Sequence, residues 1–175
     1  MSIDRKKLTE IIEIEHGINW WKPELFEQKV LPLLPRELKI VSPPPTHSDN
    51  YNCFVFIFGL KNDSEFLSGN NPIQGEFVQD TLINREVLTV VKLPSKNDWV
   101  FYKDKSGKIT HAGIMESEDE VISKWMWGPI IIHKLFDVPS SFGNEILFFK
   151  PIATSKIKKI YNAYKKSGVE IEPIG

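Results

Sequence analysis

The second half of the chain alternates short apolar segments with turn residues, and this pattern limits the fold more than any other feature. The segments are rich in aromatic and β-branched residues, which favour strands. The first turn, residues 103–108, contains Ser-Gly and has the length of a hairpin connection. The pattern predicts strands that form an antiparallel meander, at residues 99–102, 109–115, 121–127, 130–135 and 145–149.

The first half has helical periodicity instead. Apolar residues recur at helical spacing in residues 6–16, in the segment that begins at Pro23, and in residues 76–87, whereas residues 38–41 suit a short strand. Proline is favoured at the first position of a helix. Three consecutive prolines make residues 42–50 an extended loop. Helices that precede a sheet, rather than alternate with it, indicate an α+β fold.

Length and charge narrow the class of protein. A chain of 175 residues, 41% of them hydrophobic, is long enough for one domain with a sizeable core. The formal net charge of −1 argues against general binding to nucleic acid or membranes. We divide the predicted domain, residues 1–175, into N-terminal helices and a loop (1–49), a core (50–150) and a basic C-terminal helix (151–175).

Cysteine usage and targeting signals indicate where such a protein works. A single cysteine precludes an internal disulfide, so folding needs no oxidising compartment. The N-terminal residues lack the apolar core of a signal peptide, and no apolar segment is long enough to span a membrane. We expect a cytoplasmic protein, or one that a delivery system exports from the cytoplasm. Scattered histidines and the lack of a glycine-rich phosphate loop predict no metal and no cofactor.

The only cysteine, Cys53, opens the uncharged apolar run 51–60. The run is short enough to suit either a buried helix or a buried strand. Helix-capping candidates at Ser48, Asp49 and Asn52 favour a helix with Cys53 in its first turn. The positive end of a helix favours the nucleophilic thiolate. Because free cysteine is also a common core residue, a buried inert thiol is the alternative.

The loop that leads to Cys53 carries three further polar candidates. His47, Asp49 and Asn52 lie in or directly after this loop, and loops held by a rigid scaffold often carry function. We therefore expect His47, Asp49 and Asn52 to contact substrate or to help hold an oxyanion. Simple solvation is the alternative for each of them.

Three short motifs resemble those of the papain-like cysteine hydrolases of the NlpC and CHAP branch. They are Asn-Cys-Phe at the start of the apolar run, Leu-Pro followed by polar residues and Asp98, and Thr-His-Ala-Gly-Ile at residues 110–114. The resemblance covers residues 50–149. It implies a papain-like fold in which a helix bearing the nucleophile packs on an antiparallel sheet, with Cys53 as nucleophile and His111 as base. The family usually has Gly at the position of Asn97, and its cell-wall peptidases usually have Asp at Asn52, which argues against peptidoglycan as substrate.

The third member of the site is open between two residues. The resemblance places a polar residue that orients the imidazole near Ser123 or Lys124, and His133 lies on the next predicted strand. Lysine cannot accept a hydrogen bond, so Lys124 is a poor residue for orienting the imidazole. Of the remaining two candidates, we favour His133 over Ser123. The run Ser-Lys-Trp with Gly128 also resembles a signature within this superfamily, which makes Trp125 a candidate for binding substrate or for packing.

These observations predict a cysteine-dependent amide hydrolase or acyl transferase, such as a peptidase, amidase or deamidase, that uses a Cys-His dyad. The substrate would be a peptide or another amide, and a delivered effector or toxin is included. The alternative is a non-enzymatic interaction module with an inert Cys53. The lysines of the C-terminal helix, residues 155–167, predict a protein partner at that helix, with a merely solvated face as the alternative.

Overall fold

A computed structural model describes residues 3–15, 21–69 and 72–167. Within these ranges seven strands form one antiparallel sheet: β1 (Lys39–Ser42), β2 (Val90–Val91), β3 (Trp99–Lys103), β4 (Ile109–Met115), β5 (Glu120–Lys124), β6 (Ile130–Lys134) and β7 (Glu145–Phe149). Their order across the sheet is β1-β6-β5-β4-β3-β7-β2. The protein is a mixed α+β structure, as the sequence predicts.

Of the helices in the described residues, two precede β1, two lie between β1 and β2, and one follows β7. They are α1 (Arg5–Thr9), which continues as π-helical turns over Glu10–Glu15; α2 (Pro23–Leu25), which continues over Phe26–Val30 and Leu31–Leu33; α3 (Cys53–Ile57); α4 (Gly75–Phe77), which continues over Val78–Ile83; and α5 (Thr154–Lys166). Short 3-10 turns occur at His47–Asp49, Ser64–Phe66 and Ser140–Phe142. The end of the first predicted helix, at residue 16, lies outside the described residues.

Two details of the predicted meander are wrong. Strands β3 to β6 are neighbours in chain order, but β7 pairs with β3 instead of β6. The predicted strand 121–127 ends at Lys124 because the chain turns there: Gly128 N–H donates to the carbonyl of Trp125, and Met126 has a positive φ of 53°. The turn carries Met126 and Trp127 out of the sheet.

Strand β3 lies inside the sheet and contributes to both of its faces. Trp99 and Phe101 belong to one hydrophobic cluster, and Val100 and Tyr102 belong to another. Successive side chains of a strand point to opposite faces, so the two clusters lie on either side of the sheet. All four side chains are at most 3% exposed, so both faces must be covered by other elements.

Different helices cover the two faces. The cluster that contains Trp99, which we call the α3 face, includes buried residues from α3, α4 and α5. The cluster that contains Tyr102, which we call the α1 face, includes buried residues from α1 and α2 and also Phe142. The helix that begins at Cys53 is therefore packed directly on the sheet, with most contacts to β4 and β5.

Local sequence explains where these elements begin. The Asp4 carboxylate accepts from the N–H groups of Lys6 and Lys7 at the start of α1. Pro23 begins α2, where its missing N–H costs nothing. In the β3–β4 hairpin, the Asp104 carboxylate accepts from two backbone N–H groups of the turn.

A glycine permits α4 to approach β4. Gly75 is buried, and a Cβ atom added there would overlap the carbonyl oxygen of Ile109 in β4. Both Gly75 and Ile109 border the pocket that contains Cys53, so this close approach fixes one of its sides. A side chain at position 75 would have to push two backbone segments apart.

We expect Gly75→Ala to destabilise the protein by about 3 kcal/mol or more, because neither backbone can move without disturbing the core. Gly107→Ala is the matched control: Gly107 has a positive φ of 85° but open space around it, so its cost is about 1 kcal/mol. Urea unfolding of both variants measures the difference. Equal losses would show that the contact with Ile109 relaxes at no cost.

Candidate active site

Cys53 is the first residue of α3, as the sequence predicts. The Asn52 side chain caps this helix: its Oδ1 accepts from the N–H groups of Phe54 and Val55, both at 3.1 Å, and its Nδ2 donates to the carbonyl of Ile73 at 2.8 Å. The cap explains why the apolar run begins as a helix and not as a strand. The amide of Asn52 borders the pocket and also holds the segment at Ile73 in place.

Cys53 is 5% exposed, and burial raises the pKa of its thiol to about 12. The backbone N–H groups of Ala112, Phe54 and Cys53 and the charge of Lys124 act in the opposite direction and favour the thiolate. Their effect is smaller than the cost of burying a charge. The prediction that the helix terminus yields a thiolate is therefore wrong for the resting protein, in which Cys53 is a neutral thiol.

His111 lies in β4, one residue before Ala112. Its ring stacks on Phe142 with centroids 4.0 Å apart, and the ring of Tyr102 is 5.3 Å away. Burial and the nearby His133 lower the pKa of His111 well below its usual value, so the imidazole is neutral at physiological pH. Its Nε2 is buried without a hydrogen-bond partner.

Cys53 and His111 both line a pocket of about 260 Å³. The His111 ring lies on the α1 face, against Phe142 and its cross-strand partner Tyr102, whereas Cys53 packs on the α3 face. The imidazole and the thiol therefore point to opposite sides of β4, and the described residues show no hydrogen bond between them. The pocket has an apolar interior with a few polar groups: it is lined by Asn52, Cys53, Phe54, Ile73, Gln74, Gly75, Glu76, Ile109, Thr110, His111, Met126 and Trp127. Its volume suits one side chain or a short acyl group.

The other predicted catalytic residues form a separate chain of hydrogen bonds. His133 Nδ1 donates to the carbonyl of Lys134 at 2.8 Å, because a carbonyl can only accept. Its Nε2 therefore accepts from the Ser123 hydroxyl at 2.8 Å, and Ser123 in turn accepts from Trp125 Nε1 at 3.0 Å. The structure thus joins His133 and Ser123 to each other and gives neither a hydrogen bond to His111.

The remaining binding candidates lie away from the pocket. Trp125 is fully buried and contacts the edges of His133 and Phe142, so it packs in the core, and Trp127 borders the pocket instead. Asp49 is exposed and accepts from the Thr46 hydroxyl at 3.0 Å. It is not among the residues that line the pocket.

Sequence reasoning missed the environment of Lys124. This lysine is fully buried on β5 and donates to Asn50 Oδ1 at 3.0 Å and to the carbonyls of Met126 and Gly128. A lysine within an apolar strand is the signal that would have found it, because lysine is almost never buried without partners.

The basic C-terminal helix is partly neutralised within the chain. Lys158 pairs with Asp63 at 2.6 Å, and Lys165 pairs with Glu65 at 2.9 Å. These contacts attach α5 to the segment that follows α3. A protein partner at this helix stays a prediction. The helix has fewer unpaired lysine charges for such a partner than the sequence suggests.

The described residues contain no group of three or more His, Cys, Asp or Glu side chains placed to hold a metal ion. None of their helices is long and apolar enough to cross a membrane. Comparison with family models, curated proteins and solved structures finds no match.

We expect Ser123→Ala to destabilise the protein by about 2–4 kcal/mol, because it removes the buried hydroxyl that bonds to both Trp125 Nε1 and His133 Nε2. Ser106→Ala removes an exposed turn hydroxyl and is expected to cost about 0.5 kcal/mol or less. Urea unfolding at pH 7.5 compares them. A Ser123→Ala protein as stable as the control would contradict the assigned chain of hydrogen bonds.

The buried neutral histidines predict acid sensitivity. Burial lowers the pKa of His133 to about 4, whereas an unfolded histidine titrates near 6.5, so the unfolded chain binds more protons between these values. Stability is fully present above pH 6.5 and falls as the pH drops towards 4, by about 1.4 kcal/mol per pH unit for His133, and His111 adds to the slope.

Urea unfolding between pH 6.5 and 5 measures this slope while carboxylates stay largely ionised. His111→Gln should reduce the slope, and Gly107→Ala, at a turn position with open space around it, should leave it unchanged. A free energy of unfolding that is independent of pH in this interval would show that the buried imidazoles can accept protons in the folded protein.

Proposed function

We propose that this chain is a cysteine-dependent acyl hydrolase or acyl transferase that acts on an amide, with Cys53 as nucleophile and His111 as base. One observation supports the proposal: Cys53, at the first residue of a helix, and His111, on the adjacent strand, line the same pocket, although the His111 ring rests on the opposite face of β4. Nucleophile and base need only meet in space, so their separation in sequence is no obstacle.

The resting pair is neutral, which sets the order of events. The raised pKa of Cys53 and the lowered pKa of His111 keep the proton on sulfur until substrate binds. The imidazole of His111, which rests against Phe142, first turns towards the pocket and then takes the thiol proton while sulfur attacks the carbonyl carbon. The electron pair of the carbonyl double bond moves to oxygen, which would lie next to the backbone N–H of Cys53 at the start of α3.

Collapse of the tetrahedral intermediate completes the transfer. The carbonyl re-forms, the bond to the amine breaks, and the proton on His111 passes to the departing nitrogen. A thioester on Cys53 remains. Water, deprotonated by His111, hydrolyses this thioester, or an amine takes the acyl group.

The pocket limits the acyl group. Its interior is apolar, from Phe54, Ile73 and Trp127, and Glu76 supplies a carboxylate. These walls favour an acyl donor with one apolar side chain, and the carboxylate disfavours an anionic one. A papain-like arrangement agrees with this proposal, since a nucleophile-bearing helix packs on an antiparallel sheet.

The second candidate is an interaction module with an inert thiol. The observation that favours it is the burial of Cys53, which raises the thiol pKa to about 12 and leaves 5% of the residue exposed. In that case the pocket accepts an apolar side chain of a partner protein and no bond to sulfur forms.

Acylation by p-nitrophenyl acetate and butyrate separates the two candidates. We expect one thioester per chain on Cys53 of the native protein, detected by intact mass and removed by neutral hydroxylamine. His111→Ala should slow its formation by about 100-fold or more, because the base is lost. His47→Ala, at an exposed histidine, is the control and should react like the unchanged protein.

Two results would contradict the proposed enzyme. Acylation of Cys53 only after denaturation would identify an inert core thiol and support the interaction module. A thioester that forms at the same rate in His111→Ala would show that His111 is not the base. Folding of each variant is checked by urea unfolding before the rates are compared.

A further inference from the structure

Lys124 is buried without any carboxylate near enough for an ion pair. Its exposed fraction is 0%, and no other lysine or arginine of the described residues is classed as buried. A buried lysine is costly unless its ammonium is fully hydrogen-bonded. What Lys124 contacts should therefore reveal why the cost is tolerated.

Three oxygen atoms surround the Lys124 ammonium. They are Asn50 Oδ1 at 3.0 Å, the carbonyl of Met126 at 3.1 Å and the carbonyl of Gly128. An ammonium has three N–H groups, so each has one acceptor. The ring of Tyr51 lies 5.2 Å from the same nitrogen and adds a cation–π contact.

Asn50 completes the connection between two segments. Its Oδ1 also accepts from the N–H of Tyr51 at 2.9 Å, and its Nδ2 donates to the carbonyl of Trp127 at 2.7 Å. Asn50 is three residues before Cys53, whereas Met126 and Trp127 belong to the β5–β6 loop and border the pocket. Lys124 and Asn50 together tie these two segments to each other.

The charge of Lys124 also acts on the thiol. Ser123 bonds to Trp125 and His133, and alternation along β5 points Lys124 to the other face, where α3 lies. Burial lowers the pKa of Lys124 well below its usual value, and Cys53 acts against this shift, while Lys124 in turn favours the thiolate of Cys53. The three acceptors around the nitrogen match the three N–H groups of an ammonium, whereas a neutral amine has only two. The other titratable groups that line the pocket around the thiol are His111 and Glu76.

We infer that Lys124 is a positioning residue for this pocket: its ammonium ties the β5–β6 loop to the segment before α3 and keeps a positive charge on the side of Cys53. The inference deepens the proposed function and rests on it. In that reaction the charge offsets the negative charge that forms on sulfur during attack, while the tie holds the wall formed by Met126 and Trp127.

Two variants separate the effect of the hydrogen-bonded link between the two segments, which we call the tie, from the effect of the charge of Lys124. Lys124→Met removes both and keeps a similar side-chain length. Asn50→Ala breaks the link between the two segments and leaves the ammonium in place. Lys39→Met is the control, because Lys39 is exposed and pairs only with Glu120 on the neighbouring part of the sheet.

Hydrogen exchange of the amides at residues 126–128 measures the tie. We expect exchange at least about tenfold faster in both Lys124→Met and Asn50→Ala than in Lys39→Met, with β3 unchanged. The rate of iodoacetamide reaction with native Cys53, from pH 7 to 10, measures the charge. We expect it to be about tenfold lower at each pH in Lys124→Met than in Asn50→Ala.

Each outcome decides a part of the inference. Exchange at residues 126–128 equal to that of Lys39→Met in both variants would overturn the tie, and equal alkylation in Lys124→Met and Asn50→Ala would overturn the role of the charge. If Lys124→Met fails to fold, the exchange in Asn50→Ala decides. Thioester formation is scored separately: its absence, with both effects present, rejects the proposed enzyme and not the tie.

Discussion

Coverage of both faces of one antiparallel sheet is the constraint on which the structure depends. Strand β3 buries Trp99 and Phe101 on one side and Val100 and Tyr102 on the other, so neither face can meet water. Burial of apolar surface is the dominant favourable contribution to folding, and here it requires helices on both sides. The helices that cover the α3 face bring the only cysteine against the sheet.

The same double burial explains the unusual polar groups of the interior. Any polar side chain on β4, β5 or β6 that points into either layer loses its water, so it must find a partner or stay neutral. His133 and Ser123 meet this need through one another on the α1 face, and Lys124 meets it through Asn50 and two carbonyls on the α3 face. His111 does so only in part, since its Nε2 has no partner.

Local signals predict much of this fold. Asn52 as a cap and Gly59, with a φ of 71°, correctly bracket the helix that begins at Cys53, and the hairpin turn of Asp104 correctly joins β3 to β4. The pairing of strands that are distant in sequence has no local signal. The sequence therefore predicts β7 next to β6, whereas the structure pairs it with β3. The position of Trp125 is harder to predict for a related reason: the strand ends at Lys124, three residues before its predicted end, and the turn that follows buries Trp125 and places Trp127 at the pocket.

The site is harder to predict because burial, and not residue type, determines its charge states. A helix terminus favours a thiolate in any sequence, but the depth of Cys53 below the surface is a property of the assembled layers. The placement of Cys53 and His111 at one pocket follows from motif spacing only through a family resemblance, and that spacing does not reveal which face of β4 the imidazole occupies. The contact of Lys124 with Asn50 joins residues 74 positions apart, a separation for which the sequence has no local signal.

The pocket is built from four segments that are distant in the chain, around Cys53, Gly75, His111 and Trp127. No fragment of the chain carries it, and the unfolded protein has no equivalent surface. Any small molecule that occupies it therefore binds the native state alone and raises the melting temperature in proportion to the logarithm of its concentration. Thermal-shift screening can thus search for ligands of this pocket before any reaction is known.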